Sequence, residues 1–290
     1  MGKNILIIHN PAAGQRTADK VSAVARAIGM RGGRVVSRAT THPGHAEEIL
    51  RAERNGSHDV IALAGGDGTL MEGVNGLEPG DQQKIAIIPA GTANVLALEL
   101  GLPSDPGDLA EVILAGRTRP VETASLNGRR FVFTAGAGFD AQVVANVDSR
   151  LKRKAGKLAF VASAARTLAQ YRFEPLEMDV DGQELSATGV IVMNGRHYGG
   201  PFVAAPDNDL GNGTLCVLAL MRRGRLAALS YQAALGLGRL HQHPDVRYFS
   251  GVRAVNISSP AGAPVQADGD FAGHVPVSII AGAGTVHVVC

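Results

Sequence analysis

Tryptophan is absent from this chain, and phenylalanine and tyrosine bring the aromatic share of its 290 residues to only 4%. So few planar side chains leave few platforms for stacking bases, which argues against reading single-stranded nucleic acid. Cysteine is scarce too. Cys216 and Cys290 allow no disulfide framework and no Cys-rich metal site, and they suit a reducing, cytosolic setting. Charge of one sign is lacking, since 28 basic residues face 26 acidic ones for a net charge of +2. That balance gives no electrostatic footprint for a nucleic-acid partner. Long hydrophobic runs are missing as well. The longest stretch free of charged side chains, 271–290, is broken by Gly, His and Pro and reads as strands rather than a membrane span. The opening residues MGKNILIIHNPAAG run directly into a short apolar strand and a turn, unlike a signal peptide. The expectation is a soluble, cytoplasmic protein, with contact at the inner membrane face left open.

What is present supports a packed core: 45% of residues are hydrophobic and 19% charged. Glycine is the surplus, at 37 residues, where a chain of this size ordinarily has about 20. A chain rich in glycine and poor in aromatics is expected to bind through backbone turns.

The first third alternates strand and helix signals. Residues 3–9, 34–40, 59–65 and 84–91 read as strands. Helical patterns cover 18–30 and 43–54, and Asp105-Pro106 starts a helix running to Ala115, with Asp as N-cap and Pro at the first helical position. Nearly continuous apolar runs predict a parallel sheet covered on both faces. From about Val121 the pattern changes. Asn127-Gly128 and Asp181-Gly182 each sit between strand-like runs, a strong hairpin signal. Further strands are expected at 214–220, 246–250, 252–258, 264–267 and 275–289, with helices near 156–171 and 225–240. The fold class is therefore α/β in two domains: residues 1–120, and a mostly antiparallel β domain over 121–290 whose last strands are free to return to the first.

The sharpest local feature is GGDGT, Gly65 to Thr69, between a strand and a helix. Glycines allow a close approach of backbone to ligand, and the helix start offers free N–H groups to an anion. Asp67 would set a carboxylate beside bound phosphates, suited to Mg2+ coordination or to proton abstraction. The competing account is a tight turn with Asp67 capping the helix. NPAAG (10–14) and PAGTAN (89–94) have the same form. In an open α/β sheet, all three lie at the carboxyl edge where ligands bind. No Walker-type loop is present, because Gly156-Lys157 is followed by Leu158. GAGFDA (136–141) matches a dinucleotide-type glycine pattern, but no acidic residue follows in 156–165. It reads as a strand-to-helix turn aiming Asp140 at a cleft.

NPAAG, GGDGT, PAGTAN, GAGFDA and a late ADGD (267–270) occur in an order that resembles the diacylglycerol kinase catalytic-domain superfamily, closest to the bacterial lipid kinases related to sphingosine and ceramide kinases. The resemblance runs over residues 3–289. It implies a Rossmann-like α/β domain, a β-sandwich-like second domain and an ATP site in the cleft between them. It implies Asn10, Pro11, Gly14, Thr40, Gly65, Gly66, Asp67, Gly68, Thr69, Gly91, Thr92 and Asn94 as the nucleotide site. The family's late motif is usually Asp-Gly-Glu; here it is Asp268-Gly269-Asp270, one methylene shorter at the last acid. The general base implied is Asp270, Asp268 or Asp67. Family members also commonly carry Asp-Gly where this chain has Asn212-Gly213. The structural Mg2+ site implied at Asp209, Asn212 and Thr214 is thereby short of one carboxylate.

The implied activity is ATP- and Mg2+-dependent phosphorylation of a lipid hydroxyl, as in diacylglycerol, at an anionic membrane surface. The alternatives are an NAD kinase-like small-molecule kinase, or a catalytically inactive nucleotide-binding protein on the same fold. The basic run RLKRKAGK (150–157) suits anionic headgroups, though a solvated helix start is favoured. Residues 225–240, apolar and flanked by arginines, read as a helix packing on a core, with interface contact as the lesser alternative. His42 with His45, and His241 with His243, read as loop histidines without a third ligand. Cys216 reads as core, and any lipid pocket is expected to be lined by aliphatic side chains.

Overall fold

A computed structural model describes residues 2–54, 56–147 and 157–290. The basic run RLKRKAGK lies outside the described residues except for the backbone of Lys157. The chain divides into two compact units, Met1–Glu122 with Gly284–Cys290, and Thr123–Ala283.

The first unit alternates β1 (Asn4–His9), α1 (Gln15–Met30), β2 (Arg34–Ala39), α2 (His45–Glu53), β3 (Val60–Gly65), α3 (Asp67–Gly76), β4 (Lys84–Pro89), α4 (Val95–Glu99) and α5 (Pro106–Ala115). Strands run in the order β2-β1-β3-β4, all parallel, with Ile5 opposite Val60 and Ile61 opposite Ile85. Residues near the C-terminus add a further parallel strand, with His287 opposite Lys84. Ile5, Leu6, Ile7 and Ile8 are fully buried because helices cover both faces. Ile5, Ile7, Ala62 and Ile88 pack on Val24 and Ile28 of α1 and on Leu109 and Ile113 of α5. On the other side α2 packs on α3, and Leu63 fills the space over Gly73. Burying each such aliphatic side chain stabilises the fold by roughly 2–3 kcal/mol.

The Asp105 cap forms as the sequence predicts, its carboxylate accepting from the N–H groups of Gly107 at 2.7 Å and Asp108 at 3.1 Å. β2 departs from the expectation of a two-sided strand. It is the outer strand of the sheet, with only Val35 partly buried and Val36 48% exposed. Arg34, Ser37 and Arg38 are the polar residues by which edge strands discourage further pairing.

In the second unit the order is β5 (Thr118–Leu126, entering from the first), β6 (Arg129–Phe131), β7 (Thr134–Gly138), α6 (Phe139–Ala145), α7 (Lys157–Gln170), β8 (Leu176–Val180), β9 (Gln183–Ala187), β10 (Gly189–Met193), the two-residue strands β11 (His197–Tyr198) and β12 (Phe202–Val203), β13 (Leu215–Leu220), α8 (Arg225–Gly236), β14 (Val246–Val252), β15 (Ala254–Ser259), β16 (Pro264–Ala267), β17 (Asp270–His274) and β18 (Val277–Val289). One antiparallel sheet runs β14-β13-β10-β7-β16-β17. The first part of β18 pairs β15, which pairs β8, which pairs β9, again antiparallel. Ile191, Met193, Cys216 and Leu218 form a core with Ala227, Tyr231 and Leu235 of α8.

Three hairpins share one turn. Asn127-Gly128, Asp181-Gly182 and Asp268-Gly269 all have positive φ at both central residues, the form that matches strand twist. The third creates β17, a strand with no counterpart among the sequence expectations.

Candidate active site

In the first unit the three glycine turns follow β1, β3 and β4, which are neighbours and parallel, so the turns leave one edge of the sheet. The middle and last turns touch through their main chains. A Cβ built on Gly91 would lie 2.3 Å from the Gly66 Cα, and the Ala90 N–H donates to the Gly65 carbonyl at 2.9 Å. Gly91 has no room for a side chain, and a Cβ on Gly66 would sit tightly, 3.2 Å from the Gly91 Cα. A Cβ on Gly65 would likewise sit 2.4 Å from the Thr69 hydroxyl oxygen.

Asp67 is the first residue of α3, and its Oδ1 accepts the Val95 N–H at 2.8 Å. It therefore caps α4 across the turn rather than its own helix. Burial pushes its carboxyl up, and backbone N–H groups at Val95 and Asn94 pull it partly back. Asn94 has φ 49° and clasps Gly91, accepting its N–H at 2.8 Å and donating to its carbonyl at 2.9 Å. Thr92, Gly91 and Gly68 are exposed, Asn10 and Thr69 are half-buried, and Pro11 and Gly14 are exposed. Thr40 is buried just past β2, its N–H donating to the His9 carbonyl at 2.8 Å.

Sequence reasoning passed over two residues at this edge. Lys20 on α1 donates to the Pro89 carbonyl at 2.8 Å, where β4 ends, and burial lowers its ammonium pKa. His9 ends β1; burial lowers its pKa, and its Nδ1 is buried without a hydrogen-bond partner among the described residues. Helical spacing alone does not mark Lys20. A polar residue closing the apolar run ILII was a readable signal for His9.

The second unit holds the other acids. Asp268 lies in the third hairpin turn and Asp270 follows it, and they differ in what they do. The Asp268 carboxylate accepts the N–H groups of Val132, Phe133 and Thr134, each at 2.8 Å, and its own N–H donates to the Thr134 carbonyl. Asp270 opens β17 and is exposed.

The Asp140 carboxylate is not presented to an open cleft. Its Oδ2 accepts the Tyr198 hydroxyl at 2.8 Å and the Gln266 amide at 3.4 Å, while Gln266 Oε1 accepts the Gly269 N–H at 3.0 Å. Burial pushes the Asp140 carboxyl up, and burial beside Asp140 holds the Tyr198 phenol well above its usual range. The adjoining cavity is about 30 Å³ and is lined by Phe139, Phe173, Tyr198, Tyr231, Ile191 and Leu235. That volume suits a water, not an acyl chain.

Asp209, Asn212 and Thr214 lie in the turn before β13. Asp209 Oδ1 accepts the Gly211 N–H at 2.8 Å and its carbonyl accepts the Asn212 N–H at 3.0 Å, while Asn212 itself is exposed. The Asp209 carbonyl, one of the backbone oxygens implied for the ion, thus already accepts one N–H, and a neutral Asn212 oxygen would bring no charge to Mg2+. Elsewhere, Glu48 joins His42 and His45, their ligand-type atoms all within 4.8 Å, so a third candidate ligand does stand near that pair. Yet His45 Nδ1 accepts the Thr41 N–H at 3.0 Å, which places the ring proton on the other nitrogen.

Comparison with known proteins sharpens this picture. Residues 4–126 match the family model of the diacylglycerol kinase catalytic domain, and residues 134–290 match that of the YegS C-terminal NAD kinase beta sandwich-like domain. The chain belongs to the diacylglycerol kinase family. A diacylglycerol kinase of Staphylococcus haemolyticus is 31% identical, covering 97% of this chain and 86% of its own. One from Bacillus subtilis is 29% identical over 99% of this chain and 96% of its own. A solved Bacillus anthracis diacylglycerol kinase covers 99% of this chain and 96% of its own, with TM-score 0.74 at 23% identity, which speaks for the fold alone. An Archaeoglobus fulgidus NAD kinase, at TM-score 0.51 and 14% identity over 99% of this chain and 93% of its own, also shares the fold. Membership makes this a lipid kinase at the level of the family.

Proposed function

We propose that this chain transfers the γ-phosphoryl group of ATP to a hydroxyl of a lipid such as diacylglycerol. The observation that carries the reading is the row of glycine turns at the carboxyl ends of β1, β3 and β4, in a chain of this family. Phosphoryl transfer depends chiefly on positioning and on neutralising phosphate charge. Main-chain N–H groups at Gly66 to Gly68, where α3 begins, suit an anion, while the Asn10–Gly14 turn closes on itself, Ala13 and Gly14 donating to the Asn10 and Pro11 carbonyls. Thr40, Gly65, Gly91, Thr92 and Asn94 shape the same edge.

Asp67 is a carboxylate whose burial disfavours its charged form. A cation beside it restores that form, so Mg2+ bound with the phosphates would draw on Asp67 and supply charge neutralisation. With the Asp268 carboxylate committed to three backbone N–H groups, we assign proton removal to Asp270. The acceptor O–H breaks as its oxygen bonds to phosphorus, ADP departs, and Asp270 takes the proton. Asp268-Gly269 holds Asp270 at the head of β17.

The test is labelled ATP offered with diacylglycerol, phosphatidylglycerol, ceramide, sphingosine and NAD in turn. Transfer to diacylglycerol or another of the lipids is the expected result. Transfer to NAD alone, or ATP binding without transfer to any acceptor, overturns the assignment.

A further inference from the structure

Helix α8 is apolar on two opposite sides. Ala227, Ala228, Tyr231, Ala234 and Leu235 are buried in the second unit. On the other side Leu226 is 82% exposed, Leu229 52% and Leu237, just past the helix end, 74%. With Ala233, also exposed, these residues are spaced three, four and four apart, so they form one outward stripe. A surface helix ordinarily presents polar residues on its outer face; here the exposed polar residues Ser230 and Gln232 lie to either side of the stripe. Phe202, on the adjoining strand β12, adds another exposed ring, 43% accessible.

Charge surrounds the stripe. Arg222, Arg223 and Arg225 stand exposed before the helix and at its start, and Arg239 beyond its end. From Leu210 to Pro244 the sequence contains no Asp or Glu. Of the acids that bound this stretch, Asp245 lies 3.7 Å from Arg222, and Arg225 donates to the neutral carbonyl of Ala169. We infer that this face docks the protein on an anionic lipid bilayer, with the leucine stripe in the headgroup boundary and the arginines on lipid phosphates. Twelve residues make a helix of about 18 Å, too short to cross about 30 Å of hydrocarbon but suited to lying on it. A second copy of this chain is the poorer occupant, because like faces would bring the same unbalanced arginines together. The inference rests on the lipid-kinase reading, since it is a membrane-held acceptor that gives the surface its use.

Sedimentation of the full chain with vesicles of phosphatidylcholine containing about a third phosphatidylglycerol, without ATP or acceptor, tests the surface alone. The variant L226Q/L229Q/L237Q is expected to lose about tenfold or more of its vesicle partition. R223Q/R239Q is expected to lose about fivefold per arginine at low salt, along with much of the salt dependence. Both should keep the wild-type unfolding temperature and the wild-type turnover on a monodispersed short-chain acceptor, and the milder L226A/L229A/L237A separates lost contact from misfolding. Unchanged partition in the folded leucine variants overturns the inference. So does a wild-type dimer that those substitutions dissolve. Vesicle binding without kinase activity would instead retire the proposed reaction and leave the surface standing.

Discussion

The first unit, Met1–Glu122 with Gly284–Cys290, contains no Phe, Tyr or Trp; all eight Phe and all four Tyr of the chain lie in Thr123–Ala283. The same division appears in how each unit uses polar groups. In the first, glycine turns meet main chain to main chain at Gly66 and Gly91, and Asn94 and Asp67 bind backbone N–H groups. The second also binds main chain, through Asp268, but adds side chains reaching side chains: Tyr198 to Asp140, Gln266 to Asp140, and the rings of Phe139, Tyr171 and Phe173 at 4.9–5.9 Å. A site made of backbone is sensitive to added atoms, whereas one made of side chains is sensitive to removed ones.

The largest expected effects test the carboxylates proposed for chemistry, one in each unit. Asp67→Ala and Asp270→Ala should each lower kcat by about 10²–10⁴-fold with the fold retained, measured by labelled phosphate transfer. Near-normal turnover in both would dissolve the proposed site. Gly91→Ala breaks the first unit by addition. Its Cβ would fall 2.3 Å from a backbone atom that no rotamer change can move, so a loss of about 1–3 kcal/mol is expected in denaturant unfolding, with weaker ATP-analogue binding.

Asp268→Asn breaks the second unit by subtraction. The amide NH2 would face a backbone N–H that the carboxylate now accepts, costing about 1–3 kcal/mol. Turnover per folded molecule should survive. A variant of wild-type stability with abolished turnover would instead make Asp268 the base.

The parallel strands were legible because burial on both faces writes an apolar run, and the hairpins at 127–128 and 181–182 because their turns demand residues that accept positive φ. Asp268-Gly269 carries the same signal, yet β17 was missed: Asp270 and Phe271 are exposed, and the strand has no alternation to read. The edge character of β2 and the double-sided exposure of α8 depend on what lies beside them, which local pattern does not encode. Asp268 illustrates the same limit within the site. The resemblance of its motif to the family's late Asp-Gly-Glu implied a catalytic role, while its three partners sit more than 130 residues earlier in the chain.

The smallest expected effect concerns Asp140. Asp140→Ala would leave the Tyr198 hydroxyl buried without its acceptor, at a cost of about 1–3 kcal/mol, and Tyr198→Phe should cost about 1 kcal/mol. Asp140→Asn is different, because its Oδ1 still accepts from Tyr198. Burial raises the Asp140 carboxyl above its ordinary 3.8, so across that interval the folded chain holds a proton that the unfolded chain has released. Stability then falls as pH rises from 3.8 through the raised value, since the native state binds more protons than the unfolded one. Asn has no proton to lose, so Asp140→Asn should gain on the wild type as pH increases through this interval and level off above it. Denaturant unfolding of the two proteins from pH 3 to 8 reads the difference directly. Parallel curves would mean that the Tyr198 and Gln266 bonds fully offset the burial, and that this side-chain network is as well satisfied as the backbone turns of the first unit.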